Sequence, residues 1–294
     1  MWEKDLGLLC KVGENYPKQN LSDLSQAGFD ISGIKIVNPE YSQNYFYYIK
    51  DNLEIDDTNP IKYFNQLNQP IPKGLLDYLP PQRMHNSKEN PTEWTIFPDS
   101  IPQYYLNCDV VYLGPLEFLS HRMLTEMLIS KNIQTIILQP SLNYMHPEFI
   151  SEIDHLVKGV DVIICSEKQI KNLFKNKITE LSEMIDVLHL FGVEIVVIFQ
   201  NDFAQILSTG HKKEKRFIPF YPTEIVDPIG AIDAFCGGFT AGFQLSQNPL
   251  KACLYGNVAV SFKVEYSGAE NMINVLPQLR DRRMQHLASK VDNT

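Results

Sequence analysis

The chain has 294 residues, 44% of them hydrophobic and 21% charged, which is typical of a globular protein with a sizeable core and excludes a disordered or fibrous chain. Its formal net charge of −9 offers no basic surface, so we expect small molecules or proteins as partners and neither nucleic acid nor a membrane. No signal-peptide pattern or run of about 20 apolar residues occurs, and the five widely spaced cysteines read as buried free thiols. These features predict a cytoplasmic protein without structural zinc.

The first hundred residues show little regular periodicity. Aromatic residues from Tyr41 to Tyr48 alternate with other residues as in a half-buried strand, which favours packing over base stacking. From Asp56 to about Ser100 the chain is rich in Pro, Asn and Asp, which predicts irregular excursions rather than a repeat.

Residues 109–200 alternate short apolar runs with amphipathic segments, a pattern typical of βα units that build a mostly parallel sheet. The predicted strands are 110–113, 133–138, 160–165 and 193–199, and the predicted helices are 118–131, 147–157 and 167–191. We expect the last helix to break near Asn176 and to end before Gly192.

The remainder of the chain begins with a β meander and ends with helices. Strands are predicted at 203–208 and 215–220, around a turn at Gly210–His211. Small and apolar residues predict two buried helices at 230–243 and 250–264, and a more polar helix is predicted at 273–288.

The segment Asp227–Phe239 carries the residues best suited to chemistry, because it follows a predicted strand and begins a predicted helix. A helix amino terminus presents unpaired N–H groups and a partial positive charge, so it can hold a phosphoryl group without Lys or Arg. Asp233, in the first turn, could accept the proton of a hydroxyl that attacks a phosphate. A structural alternative makes Asp227 a helix cap, Asp233 an ordinary first-turn acid and the glycines packing residues.

The segment Asp227–Gly238 resembles the carboxyl-terminal signature of the ribokinase, or PfkB, family, Asp-[Thr/Pro]-Thr-Gly-Ala-Gly-Asp followed by Ala-Phe-x-Gly-Gly. Two earlier passages, Leu8–Pro17 and Gln26–Ile34, resemble the early part of the family sequence. Two later passages, Cys253–Ser261 and Ser267–Ala269, resemble the family's penultimate helix and the segment that follows that helix. The chain is therefore identified as a divergent member of this family of carbohydrate and nucleoside kinases.

The resemblance implies an α/β fold of the ribokinase-like, Rossmann-type three-layer sandwich, in which helices flank a mostly parallel central sheet. It implies a single domain over residues 1–294. Part of a small β lid would come from about residues 34–50 and would be incomplete, and an irregular insertion would occupy about residues 55–100.

For activity, the resemblance implies ATP-dependent phosphorylation of a hydroxyl of a sugar, polyol or nucleoside, with ATP and Mg²⁺ as cofactors. Asp233 would be the catalytic base. The amides of Gly230, Ala231 and Ile232, together with Asp227, would form the phosphate-binding anion hole.

The resemblance also assigns residues around the nucleotide. Asn257 and Gln200 would lie beside it. The family's Asn-x-x-Glu motif, associated with Mg²⁺, aligns with Ser166–Gln169, so the anionic member is the neutral Gln169 and only the neighbouring Glu167 could supply a carboxylate.

Several departures from the family pattern bear on activity. Ile232 replaces a glycine, and a β-branched residue suits neither a special backbone conformation nor close approach of a phosphate. The turn Gln200–Gln205 lacks the usual glycine. About 45 family residues that precede the passage at Val12–Gly13, including a substrate-binding segment, have no counterpart. A missing first strand would leave an open sheet edge that a second copy could cover, so we expect a homodimer.

Two functional hypotheses remain open at this point. Retained Asp227, Gly230, Asp233 and Asn257 favour an active kinase. Ile232, Gln169 and the missing amino-terminal motif favour a catalytically silent relative that binds a nucleotide or a partner protein. A dinucleotide-dependent enzyme lacks support, because no Gly-x-Gly-x-x-Gly follows an early strand.

Overall fold

The computed structural model describes residues 6–38, 47–48, 55–56, 60–66, 68–76, 87–210 and 214–291. These residues form ten strands and nine α-helices. Within them, no helix combines the length and the hydropathy that a membrane crossing requires.

The amino-terminal elements form two small sheets. In chain order the elements are β1 (Leu6–Gly13), α1 (Lys18–Gln26), β2 (Phe29–Val37), β3 (Tyr47–Tyr48), β4 (Ile55–Asp56) and α2 (Pro60–Gln66). β1 pairs with β2 in parallel, and β3 pairs with β4 antiparallel. The lid predicted at about 34–50 and the strand expected from Tyr41 to Tyr48 fall mainly outside the described residues. The stretch predicted to be irregular contains the short helix α2, which the sequence pattern did not indicate.

Six strands form the central sheet. They are β5 (Val110–Leu113), β6 (Thr135–Leu138), β7 (Val162–Ser166), β8 (Ile195–Phe199), β9 (Gln205–Thr209) and β10 (Glu214–Ile218). Their spatial order is β10-β9-β8-β7-β6-β5. β5 to β8 are parallel, and β9 and β10 continue the sheet antiparallel. Every residue of β6 and β8 is buried, as expected for parallel strands covered on both faces.

Helices cover both faces of this sheet. They are α3 (Phe118–Ser130), α4 (Ile150–Leu156), α5 (Glu167–Leu173), α6 (Leu181–Leu190), α7 (Ala231–Ser246), α8 (Pro249–Lys263) and α9 (Pro277–Val291). Ile136 and Leu138 of β6 belong to a core shared with α3 to α6, whereas Ile137 between them belongs to a second core shared with α7 to α9. This alternation produces the predicted three layers.

Special backbone conformations set several element boundaries. Asn176 has φ of 62° and Gly192 has φ of 106°, so the helical stretch predicted at 167–191 breaks and ends where expected. The strand predicted from 203 begins only at Gln205, because Phe203 has φ of 64° and lies in the preceding turn. The helix predicted from 273 begins at Pro277, since proline suits a first helical position.

The cysteines are free thiols, but not all of them are buried. Cys165, Cys236 and Cys253 are buried in the two cores, whereas Cys108 is exposed, which corrects the prediction for that residue. Burial raises the pKa of Cys165 to about 12, so this thiol stays protonated at neutral pH.

Candidate functional site

The loop before α7 is fastened to the end of α8. The amides of Val226 and Asp227 both donate to the carbonyl oxygen of Val264, at 2.7 and 3.0 Å. Gly230 then takes a left-handed conformation, with φ of 80°, and α7 begins at the next residue. A side chain at Gly230 would strain the backbone, so the glycine is needed for this entry into the helix.

The first amides of α7 form the anion-binding element of the candidate site. Ala231 donates its N–H to the carbonyl of Pro228 at 3.1 Å, and Ala234 donates to Gly230 at 2.9 Å. In the part of the chain that the structure describes, the amides of Gly230, Ile232 and Asp233 have no acceptor. The predicted anion hole is therefore corrected: the amide of Ala231 is engaged in a turn, and that of Asp233 takes its place beside those of Gly230 and Ile232.

Ile232 adopts ordinary helical backbone within α7, so the expected conflict between a β-branched residue and a special conformation is wrong. The residue with positive φ in this segment is Gly230. The Ile232 side chain is partly buried and packs against the core shared by α7 to α9. Its amide consequently stays available while its side chain contributes to packing.

The carboxyl of Asp233 is reached by solvent although protein atoms surround much of it. Its side chain is exposed to solvent, yet desolvation by the protein around it raises the pKa of the carboxyl. Gln139 opposes this effect, because its amide Nε2 donates to Asp233 Oδ1 at 3.3 Å. Among the described residues no basic side chain forms a salt bridge with Asp233, so its carboxylate is not neutralised within the protein.

Gln139 and Tyr112 belong to the site although sequence reasoning missed them. The Tyr112 hydroxyl donates to Gln139 Oε1, and Gln139 in turn donates to Asp233. Gln139 follows β6 directly and is 4% exposed, and Tyr112 lies in the adjacent β5. Both residues could have been identified from their location at the carboxyl ends of predicted parallel strands, because ligands of open α/β sheets bind there.

Asp227 shapes the loop before α7. Its Oδ1 accepts from the amide of Ile229 at 2.9 Å, and its Oδ2 accepts from the hydroxyl of Ser267 at 3.1 Å. The ammonium of Lys263 lies 3.6 Å from Oδ2. Asp227 is therefore neither the cap of α7, a position held by Gly230, nor free to point at a ligand.

The residues expected to place a metal have other roles. Gln169 forms a capping box with Ser166, whose amide donates to Gln169 Oε1 at 2.7 Å, and its Nε2 donates to the carbonyl of Pro140 at 2.7 Å. Gln169, which the resemblance placed at an indirect metal position, therefore has both atoms of its side-chain amide engaged within the protein. Glu167 is 24% exposed and lies 2.5 Å from Lys171, which lowers the pKa of the carboxyl. The described residues contain no group of three acidic, His or Cys side chains that could hold a metal ion.

The two residues expected beside the nucleotide differ in whether their side chains can contact a ligand. Asn257 is fully buried; its Oδ1 accepts from the amide of Tyr221 at 3.0 Å, and its Nδ2 donates to Gln205 and Pro219 at 3.0 and 2.9 Å. A saturated, buried amide cannot also contact a ligand, so Asn257 is corrected to a structural residue. Gln200 is partly exposed, and its Nε2 donates to Glu167 at 3.1 Å.

Comparisons with known proteins identify the family and the fold of the chain. Residues 83–275 match the sequence model of a family described as pfkB family carbohydrate kinase. The chain is 26% identical over 249 residues to a cytidine kinase of Thermococcus kodakarensis, a match that covers 85% of this chain and 77% of that protein. Ribokinase from Thermotoga maritima superposes with a TM-score of 0.64 at 16% identity, over 95% of this chain and 81% of that one.

A further similar structure is aminoimidazole riboside kinase from Salmonella enterica, complexed with aminoimidazole riboside and an ATP analogue. It has a TM-score of 0.61 at 13% identity and covers 95% of this chain and 86% of its own. At such identities the structural matches establish the fold, and they confirm the predicted ribokinase-like sandwich.

Proposed function

Because the chain belongs to the pfkB family of carbohydrate kinases, we propose that it transfers the terminal phosphoryl group of ATP to a hydroxyl of a nucleoside or sugar. One observation carries the proposal: the unbonded amides of Gly230, Ile232 and Asp233 lie at the start of the helix that carries the Asp233 carboxylate. An anion site and a proton acceptor are thus adjacent, as phosphoryl transfer to a hydroxyl requires.

Separate groups of the protein accept the proton, stabilise the phosphoryl charge and orient the carboxylate. The acceptor hydroxyl gives its proton to Asp233 as its oxygen bonds to the terminal phosphorus, and the bond from that phosphorus to the bridging oxygen breaks to release ADP. The free amides stabilise the negative charge on the phosphoryl oxygens. Gln139 holds Asp233 Oδ1, which fixes the direction of the carboxylate.

The site fits a nucleotide phosphate better than it fits a metal held by protein ligands. Three orphaned N–H groups at a helix start suit phosphate oxygens. For Mg²⁺, Glu167 is the candidate carboxylate, and Mg²⁺ commonly binds through one or two carboxylates, phosphates and waters. Bound there, Mg²⁺ would neutralise phosphate charge.

Nucleosides are the acceptor class to test first. The sequence similarity to a cytidine kinase extends over 85% of this chain, whereas the sequence similarity to ribokinases covers 41–43% of it. Because a nucleoside and a free sugar both offer a primary hydroxyl, the proton-accepting role of Asp233 is the same for either.

The test is ADP production with a panel of nucleosides, ribose and other sugars, comparing the wild type with Asp233→Asn. We expect the substitution to lower kcat/KM by about 100- to 10,000-fold, the range for loss of a general base. Asp154→Asn, on α4, is the matched control and should leave turnover unchanged. Activity retained by Asp233→Asn would contradict the role of this residue.

Stability supplies a second readout for the same variant. The pKa of the Asp233 carboxyl is higher in the folded than in the unfolded state. The free energy of unfolding therefore falls as the pH rises through the interval between these two pKa values. Asp233→Asn should therefore unfold at the same or a higher temperature near neutral pH. A large drop in the unfolding temperature would instead indicate a structural role.

A catalytically silent nucleotide-binding protein is the second candidate. The observation that favours it is that the neutral Gln169 is committed to a capping box and that Glu167, the remaining candidate carboxylate, is paired with Lys171. Saturable binding of ATP without turnover of any acceptor in the panel would support this alternative.

A further inference from the structure

Lys263, the last residue of α8, has a buried ammonium group surrounded by oxygen atoms. Its side chain is 7% exposed. Its Nζ lies 3.3 Å from the carbonyl oxygen of Asp227, 3.4 Å from that of Tyr266 and 3.6 Å from Asp227 Oδ2. Two carbonyls and one carboxylate therefore converge on a single positive charge.

This ammonium lies beside the start of α7. A Cβ atom built on Gly230 would be 3.5 Å from Lys263 Cε and 4.0 Å from Asp233 Oδ2. Gly230 is thus flanked by the stem of Lys263 and by the proposed base. A Cβ atom at these distances would only touch its neighbours, so the positive φ rather than a lack of space requires glycine here.

We propose that the Lys263 ammonium is a built-in monovalent cation that positions the anion-binding loop. It gathers oxygens from the two segments that meet there, the loop before α7 and the turn after α8, and so fixes the direction of the Gly230 and Ile232 amides. The proposal rests on the proposed function to the extent that the anion held by those amides is the phosphate of a nucleotide. Lys263 is a positioning residue, since the amides rather than its ammonium would contact that phosphate.

Electrostatics gives the reason for a cation at this point. Without one, the negative ends of two carbonyl dipoles and the Asp227 carboxylate would face each other in a poorly hydrated space. The uncompensated charge of Asp227 would also oppose an incoming phosphate. A covalently attached ammonium removes both costs and cannot dissociate.

Truncation of the lysine makes the proposal testable. Lys263→Ala removes the ammonium and leaves its oxygen partners, so a free ion of similar size, NH₄⁺ or K⁺, should replace it. Lys263→Met fills the same space with an uncharged side chain, so no ion should restore its function. The wild type should be indifferent to which monovalent cation is present.

The experiment compares these three proteins in the chloride salts of NH₄⁺, K⁺, Li⁺ and tetramethylammonium at equal ionic strength. The readouts are the thermal midpoint of unfolding and calorimetric binding of a non-hydrolysable ATP analogue. We expect Lys263→Ala to bind the analogue about tenfold more weakly in tetramethylammonium, the scale of one hydrogen bond to a charged group. Most of that loss, and the lowered midpoint, should be recovered in NH₄⁺ or K⁺ but not in Li⁺.

Opposite results would overturn the proposal. It fails if Lys263→Ala binds the analogue like the wild type in every salt, if Lys263→Met responds to NH₄⁺ as Lys263→Ala does, or if the wild type itself requires NH₄⁺ or K⁺. The ion dependence of the wild type still tests the proposal if neither variant folds. A wild type that binds the analogue and ignores the ions, yet phosphorylates nothing, would refute the kinase proposal and leave this inference intact.

Discussion

Two opposing effects act on the carboxyl of Asp233. Desolvation raises its pKa, and the hydrogen bond from Gln139 lowers it. Because a base must be deprotonated to accept a proton, activity should fall as the pH drops through the pKa of Asp233. The acid limb of the pH profile is therefore expected at a higher pH than an ordinary aspartate would give.

Gln139→Met removes the hydrogen bond that lowers this pKa while keeping a side chain of similar length. The acid limb of log kcat/KM against pH should move to higher pH. Tyr112→Phe is the matched control, because it keeps the Gln139 amide and removes only the hydroxyl that holds it, so its shift should be smaller. An unchanged limb, or one moved to lower pH, would show that Gln139 does not act on Asp233.

At the scale of single residues, the sequence was informative where a role follows from local chain geometry. Gly230 and Asp233 could be placed at the start of α7 because a glycine-led helix start and a first-turn acid are contiguous, and their functional roles stay predictions. Lys263 could not, because its partners come together only when the end of α8 meets the loop before α7. Asn257 was misassigned, since a sequence does not show that an amide is already saturated.

At the scale of elements, α7 and α8 pack unusually closely through glycines. A Cβ atom on Gly238 would lie 2.7 Å from the carbonyl oxygen of Tyr255 and 2.9 Å from Ala259 Cβ. One on Gly256 would lie 2.7 Å from the ring of Phe235. Both helices thus approach to backbone contact, which fixes the position of α7 and its first turn.

Gly238→Ala should force these helices apart and destabilise the protein by about 1–3 kcal/mol, the cost of overpacking. Gly237→Ala is a matched control in the same helix, because it is exposed and an added Cβ meets no atom within 4 Å. That variant should gain about 0.5–1 kcal/mol from helix propensity. Urea unfolding of both measures the difference, and equal midpoints would contradict close packing as the reason for Gly238.

The turn after β8 shows why its missing glycine did not prevent the fold. Phe203 occupies the left-handed position there, with φ of 64°. Its ring is buried and meets that of Phe220 at 5.0 Å between centroids. Burial of the Phe203 ring therefore offsets the free-energy cost of its left-handed backbone, about 1–3 kcal/mol.

At the scale of the whole molecule, the layered architecture could be predicted because continuous apolar runs and helical periodicity are properties of short segments. The amino-terminal part could not be predicted in the same way. β1 and β2 consist mainly of exposed and partly buried residues without a regular alternation, and they form a sheet of their own. Their contacts with the rest come from distant residues such as Tyr105, whose hydroxyl donates to the carbonyl of Asp30 at 2.9 Å.

The two edges of the central sheet differ in a way that bears on assembly. β10 carries Glu214, Lys215 and Arg216, and such charges protect an edge from pairing. β5 is uncharged, and among the described residues it pairs only with β6. The dimer expected from the sequence stays a prediction, and we assign it to the edge of β5.

Light scattering on a sizing column should give twice the chain mass of 33.8 kDa. The carbonyls of Asp109 and Leu113 accept hydrogen bonds from the β6 side, so the N–H of Val110 faces the open edge. Val110→Pro removes that donor and should yield folded monomers, which unfold at a somewhat lower temperature because dimerisation no longer stabilises the folded state. A monomeric wild type would refute the prediction.

The attachment of the loop before α7 to Val264 and Lys263 has a consequence for biosynthesis. The strands and the layer of α3 to α6 are complete before α7 is made, so a nascent chain could fold its sheet early. The amides that would hold a phosphate gain their final direction only after α8 has left the ribosome. During translation the protein would therefore acquire its shape first and its affinity for nucleotide near the end.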